Sequence, residues 1–152
     1  MSIKLEDLEL IGLTRMDGLN VTPLKRIATT GGDVLRAIKR SDSGFMGFGE
    51  AYFSMIGQDQ IKAWKLHTKM TMNLVVPLGS VVFVFFDSKN FKTVKAGVEN
   101  YVRITVAPNI WFGFKGVGIE NNLILNIANI EHDPIESKRS HIGDIQFNWE
   151  ST

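Results

Sequence analysis

Cysteine is absent from the 152-residue chain. That excludes a disulfide framework, thiolate chemistry and any cysteine-based metal site. A surplus of one charge is missing too: 17 Lys and Arg stand against 16 Asp and Glu, a formal net charge of +1. No long-range field therefore draws nucleic acid or an anionic membrane, although a local basic cluster can still meet a small anion. Long apolar runs are lacking. The most apolar stretch, Leu74 to Phe86, is too short to span a bilayer and is interrupted by Pro77 and Gly79. Met1 to Leu10 carries Glu6, Asp7 and Glu9 where a secretory leader needs a basic start and an apolar run, so a cytoplasmic location is expected. Heptads, amphipathic-helix periodicity, internal repeats and low-complexity linkers are missing as well, which points to one domain.

What remains is a succession of short apolar segments punctuated by Gly, Pro and Asn. Met1 to Asp33 reads as short extended pieces ending in the turn Thr29-Thr30-Gly31-Gly32-Asp33. Val34 to Arg40 fits a short helix or a strand, and Ser41 to Gly49 a glycine-rich loop. Strands are expected at Glu50 to Ile56, Ile61 to His67, Leu74 to Asp87 with a break at Pro77-Leu78-Gly79, Val98 to Val106, Trp111 to Phe114 and Leu123 to Ile130. Leu74 to Asp87 is apolar on both parities, the mark of a strand buried between layers. In Ile61 to His67, alternation sets Lys65 and His67 on one face and Trp64 and Leu66 on the other unless a bulge intervenes. The sum is an all-β sandwich or barrel, with an α+β domain as the alternative if Val34 to Arg40 is helical.

Three stretches carry a family likeness. Ile61-Lys62-Ala63-Trp64-Lys65-Leu66-His67 is followed by Asn73-Leu74-Val75-Val76-Pro77-Leu78-Gly79. Val106-Ala107-Pro108-Asn109-Ile110-Trp111-Phe112-Gly113-Phe114 comes next, and Leu123 to Pro134 closes the set. In order and spacing, from about Gly49 to Pro134, they resemble the dTDP-4-dehydrorhamnose 3,5-epimerase family. The resemblance implies a cupin jelly-roll barrel with an N-terminal extension of short strands. Residues 1–48 would be the N-terminal strands and loop, 49–134 the barrel core and 135–152 a tail packing on it. It further implies a homodimer, a pocket for a nucleotide-linked sugar, and proton transfer next to a 4-keto group in polysaccharide or deoxysugar biosynthesis. That chemistry needs a base tuned near neutrality and a cation or donor facing the developing enolate oxygen.

Carried over residue by residue, the family's basic residue falls on Lys62 and its base histidine on Lys65, one small shift from His67. Its second histidine falls on Phe112, its strand tyrosine on Asn126 and its acid tyrosine on His132. The lysine before the Leu-Val run has no direct match between Met70 and Asn73, with Lys69 nearby, and no counterpart of the aspartate that orients the base stands out. The implied catalytic set is His67, His132 and Lys65, and the implied ligand contacts are Lys62, Asn126, Asn73 and Trp111. On the residues alone, His67 is equally a strand-end histidine bonded to backbone, His132 a loop histidine, and His141 a surface one. Asn126 either meets a sugar hydroxyl or satisfies backbone. Trp64, Trp111, Phe112 and Phe114 read as core. Cupin metal sites use His-x-His with a nearby carboxylate and a later histidine. Here the first pair reads Lys65-Leu66-His67 and Phe112 takes the last place, so neither a metal nor a cofactor is expected. A non-catalytic cupin that binds a sugar or sugar nucleotide, or serves as a partner subunit, is the other functional reading.

Overall fold

A computed structural model describes residues 15–152; the reading of Met1 to Leu10 lies outside them. Two five-stranded antiparallel sheets face each other. The first runs β1 (Leu19–Pro23), β9 (Val102–Val106), β6 (Met72–Leu78), β11 (Asn122–Ala128), β4 (Glu50–Ile56). The second runs β12 (Ser137–Arg139), β5 (Ile61–His67), β10 (Trp111–Gly116), β7 (Ser80–Phe86), β8 (Phe91–Gly97). A ribbon of β2 (Arg26–Ile27) and β3 (Val34–Leu35) lies outside both. This is the jelly roll expected from the sequence. Val34 and Leu35 are strand, not helix, because they pair with Arg26 and Ile27, which removes the α+β alternative. Among the described residues no helix is long and apolar enough to cross a membrane.

Alternation builds the core. Met72, Leu74 and Val76 of β6, Ile104 of β9, Phe83 and Phe85 of β7 and Ile124 of β11 point between the sheets and are buried. The outer faces of the central strands are covered in two separate places. On β7, Val82 and Val84 face outward beneath Trp149 of the C-terminal segment. On β6 and β9, the outward Asn73 and Arg103 lie beneath the glycine-rich loop. There Asn73 Nδ2 donates to the Gly44 carbonyl, and Arg103 Nη1 to the Ala37 carbonyl and Asp42.

Two boundaries differ from the sequence reading. The expected strand Val98 to Val106 begins only at Val102, because Gly97 and Asn100 close a turn by exchanging backbone hydrogen bonds. The polar alternation of Phe91 to Gly97 conceals a strand: only Val94 and the residues Ala96 and Gly97 are buried in it, so it presents a weak apolar signal.

Asn122, 1% exposed, ties three segments at one end of the barrel. Its Oδ1 accepts from Ser80 N–H, and its Nδ2 donates to the carbonyls of Ile56, Gly118 and Glu120. Truncation would orphan buried backbone groups, each of which costs about 1–3 kcal/mol. Asn122→Ala is therefore expected to lower the urea-unfolding free energy by about 2–4 kcal/mol. A loss under about 0.5 kcal/mol, the level of an ordinary surface change, would contradict this role.

Candidate active site

The core fills one part of the space between the sheets. Elsewhere a cavity of about 640 Å³ remains, within the size range of small-molecule sites. Sheet β12-β5-β10-β7-β8 supplies Lys62, Lys65, His67, Phe112, Phe114 and Arg139 to its lining; the opposite sheet supplies Tyr52, Ser54, Met72 and Asn126. Ser140 and His141, just after β12, complete that side.

A break in register gathers the cations. Phe112 pairs with Lys65 and Phe114 with Lys62, so two steps along β10 match three along β5. Residues directly opposite in an antiparallel pair share a face, and the extra residue of a bulge shifts the alternation. Lys62 thereby joins Lys65 and His67 on the inner side, while Trp64 packs outward against Trp149 at a ring separation of 5.3 Å. Strict alternation would have put Lys62 outside. Arg139 pairs with Lys65 across β12 and β5. None of Lys62, Lys65 and Arg139 makes an ion pair among the described residues. Burial, and then the charge of Arg139, lower the pKa of Lys65.

His67 is 5% exposed and its ring stacks on Phe112. Its Nδ1 lies 2.5 Å from Glu136 Oε1, and Glu136 is itself 3% exposed. Glu136 Oε2 accepts the backbone N–H groups of Lys69 and Met70. Burial pushes the Glu136 carboxyl up, but the hydrogen bonds from His67 and those two amides outweigh it and hold it below its ordinary 4.5. Burial pushes His67 below its ordinary 6.5; Glu136 pulls the other way without reversing this, and Lys65 and His132 add to the depression. The state that results is an ionised Glu136 accepting from a neutral His67 protonated at Nδ1. The buried Nε2 has no hydrogen-bond partner among the described residues. A neutral imidazole with an unpartnered Nε2, on a residue that lines the cavity, is suited to take a proton.

The structure thus brings together His67, Lys65, Lys62 and Asn126 from the sequence-derived set. It does not bring in the other three. Asn73 faces the loop side of β6, hydrogen-bonded to Gly44 and Thr105. Trp111 packs on the outer aromatic cluster. His132 is exposed on the loop before β12 and reaches His67 only through its charge. Three contributors were missed. Glu136 and Arg139 lie in the polar stretch after Asp133-Pro134, where nothing in the residue pattern marks a barrel strand. Tyr52 lies on β4, expected as a strand but with no face assigned to its residues. The signal available for Tyr52 was its parity: it pairs with Asn126 and so shares that residue's inward face. Among the described residues no three His, Asp or Glu side chains converge as a metal site.

Both members of the dyad are stabilised in their deprotonated forms, which fixes the sign of the pH dependence. An unfolded chain takes up protons near 6.5 at histidine and near 4.5 at glutamate, whereas the native dyad resists both. Folding stability is therefore full above about pH 6.5 and falls on acidification. Urea unfolding from pH 7.5 to 5 should show this loss, His67→Gln should flatten its upper part, and the His67 ring should titrate by NMR below 6.5. A His67 titration above that value would contradict the neutral dyad.

No family model and no curated protein matches the sequence. Solved structures do. The dTDP sugar isomerase from Desulfovibrio desulfuricans G20 superposes with a TM-score of 0.84 at 32% identity, over 90% of this chain and 93% of that one. The sugar 3,4-ketoisomerase QdtA from Thermoanaerobacterium thermosaccharolyticum, solved with TDP, gives a TM-score of 0.73 at 17% identity, over 84% and 91%. The dTDP-6-deoxy-D-glucose-3,5-epimerase RmlC from Legionella pneumophila, solved with dTDP-4-keto-L-rhamnose, gives 0.74 at 15%, over 86% and 77%. The latter two share the fold. With nearly a third of its residues identical over nine-tenths of its length, the chain belongs to the family of the dTDP sugar isomerase.

Proposed function

We propose that the protein is a sugar-nucleotide isomerase or epimerase acting on a 4-keto sugar in deoxysugar or polysaccharide biosynthesis. The observation that carries this is the coincidence, in one cavity, of His67, backed by Glu136, and three cations that make no ion pair among the described residues. Lys62, Lys65 and Arg139 suit a diphosphate, Arg139 as a fork and the lysines as point charges. They also suit the oxygen of an enolate. His67 Nε2 removes the proton on the carbon next to the ketone, and the developing negative charge on the ketone oxygen is met by the nearby ammonium of Lys65. Tyr52, on the opposite sheet, is the group that returns a proton. Burial raises the pKa of its phenol, with Glu50 adding to the effect, so it stays protonated and able to donate. A non-catalytic sugar-binding barrel has no need of a carboxylate buried behind a histidine, so the dyad favours catalysis. The protein would act in the cytoplasm as a homodimer, for which the exposed Phe53 and Met55 on the outer face of edge strand β4 offer an apolar surface.

The test is incubation with dTDP-4-keto-6-deoxyglucose in deuterated water, following exchange at the carbons flanking or near the ketone together with product formation. The wild type should exchange and turn over. His67→Gln should lose at least about 100-fold in exchange, with binding of the nucleotide sugar retained within a few-fold. Tyr52→Phe should keep exchange and lose product. Absence of both exchange and binding in the wild type would remove the proposal.

A further inference from the structure

We infer that Asn126 is a specificity-determining residue that reads one ring hydroxyl of the sugar; this rests on the nucleotide-sugar reading of the cavity. Asn126 sits on β11 between Ile124 and Ala128, both buried in the core, and shares their inward face. It is 7% exposed and lines the cavity. Its two N–H groups are already committed. Nδ2 donates to the Tyr52 carbonyl at 3.2 Å and to Ser54 Oγ at 3.0 Å, with the Ile124 carbonyl at 3.5 Å. A half-turn of the amide would set Oδ1 against the two carbonyls, acceptor against acceptor, so the chemistry allows one orientation only. Oδ1 then has no partner among the described residues, and the space it borders is the cavity.

The side chain thus divides its labour: the nitrogen satisfies the edge strand β4, and the oxygen is left for the ligand. An acceptor held in place inside a cavity favours a ligand that brings a donor and penalises one that leaves it bare. Lys62, Lys65 and Arg139, as cations, only donate and recognise anionic or acceptor groups. Asn126 Oδ1 supplies the opposite polarity and selects an O–H. Thymine also carries an N–H donor, so the experiment separates sugar from base.

Calorimetric titration of the full chain with dTDP, dTDP-glucose and the 2-, 3- and 4-deoxy analogues of dTDP-glucose tests this. The wild type is expected to bind one deoxy analogue about 10-fold or more weakly than dTDP-glucose. In Asn126→Leu that analogue and dTDP-glucose should bind within about 2-fold of each other, with dTDP itself unchanged. Ser54→Ala, which frees one side of the amide without removing the oxygen, should show an intermediate preference, and it serves if Asn126→Leu fails to fold. Retention of the full preference in both variants, or no preference in the wild type, overturns the inference while leaving the nucleotide-sugar reading intact. An equal loss for dTDP and dTDP-glucose in Asn126→Leu would assign the oxygen to the base or phosphates instead, and also overturns it. No nucleotide binding by the wild type would remove the underlying reading and this inference with it.

Discussion

The contact between Glu136 and His67 joins two parts of the chain 69 residues apart, and most of what the cavity can do depends on it. The carboxylate is buried, and a buried charge persists only with partners that repay its lost hydration. Three partners converge on it: an imidazole N–H and two successive backbone amides at the end of β5. The amides come free because the chain turns between His67 and Met72, where they have no ladder to join. In return, Glu136 fixes the imidazole tautomer, which leaves Nε2 as an acceptor. The same clamp starts β12, whose register carries Arg139 alongside Lys65. A base and a cation therefore reach the cavity through one anchoring interaction.

The second constraint is the double burial of the central strands. Strands with apolar groups on both sides need a cover over each outer face. The loop before β4 covers β6 and β9, and the C-terminal segment covers β5 and β7 through Trp149 and Trp64. Trp64 Nε1 donates to the Ile142 carbonyl, and its backbone exchanges hydrogen bonds with Ser140. The outer cover and the inner site thus share one strand: alternation sets Trp64 outward to the C-terminal segment beside inward Lys65, and the adjoining bulge turns Lys62 inward as well. Packing on one face and electrostatics on the other are not independent here.

Much of the architecture was legible in the residues. Glu50 to Ile56 and Ile61 to His67 match the observed strands end to end, because aromatic and β-branched composition and flanking Gly, Gln and Asp are local signals. The motif order around Ile61–His67, Val106–Phe114 and Leu123–Pro134 also pointed to the right family. The site was only partly legible. His67 and Lys65 follow from parity, and Asn126 from a polar group in an apolar strand. Asn73 and Trp111 stand on the same strands as cavity residues yet take the other face, a distinction lost where both parities of a strand are buried. His132 stands four residues before Glu136, yet the loop leaves it exposed, while the less conspicuous acid turns inward.

By itself, the sequence determined that the chain would form short strands with two-sided burial, would hold no thiol chemistry, and would place a histidine and lysines on a strand bounded by apolar neighbours. Those outcomes depend on composition and on the two-residue period of a strand, both of which are local. Only the tertiary structure decided which carboxylate orients the histidine, that Lys62 turns inward, and that Arg139 and Tyr52 face the same space. Each of these depends on strand register between segments distant in sequence, and register is set by how the two sheets close and by a single extra residue at one bulge, which no local pattern encodes.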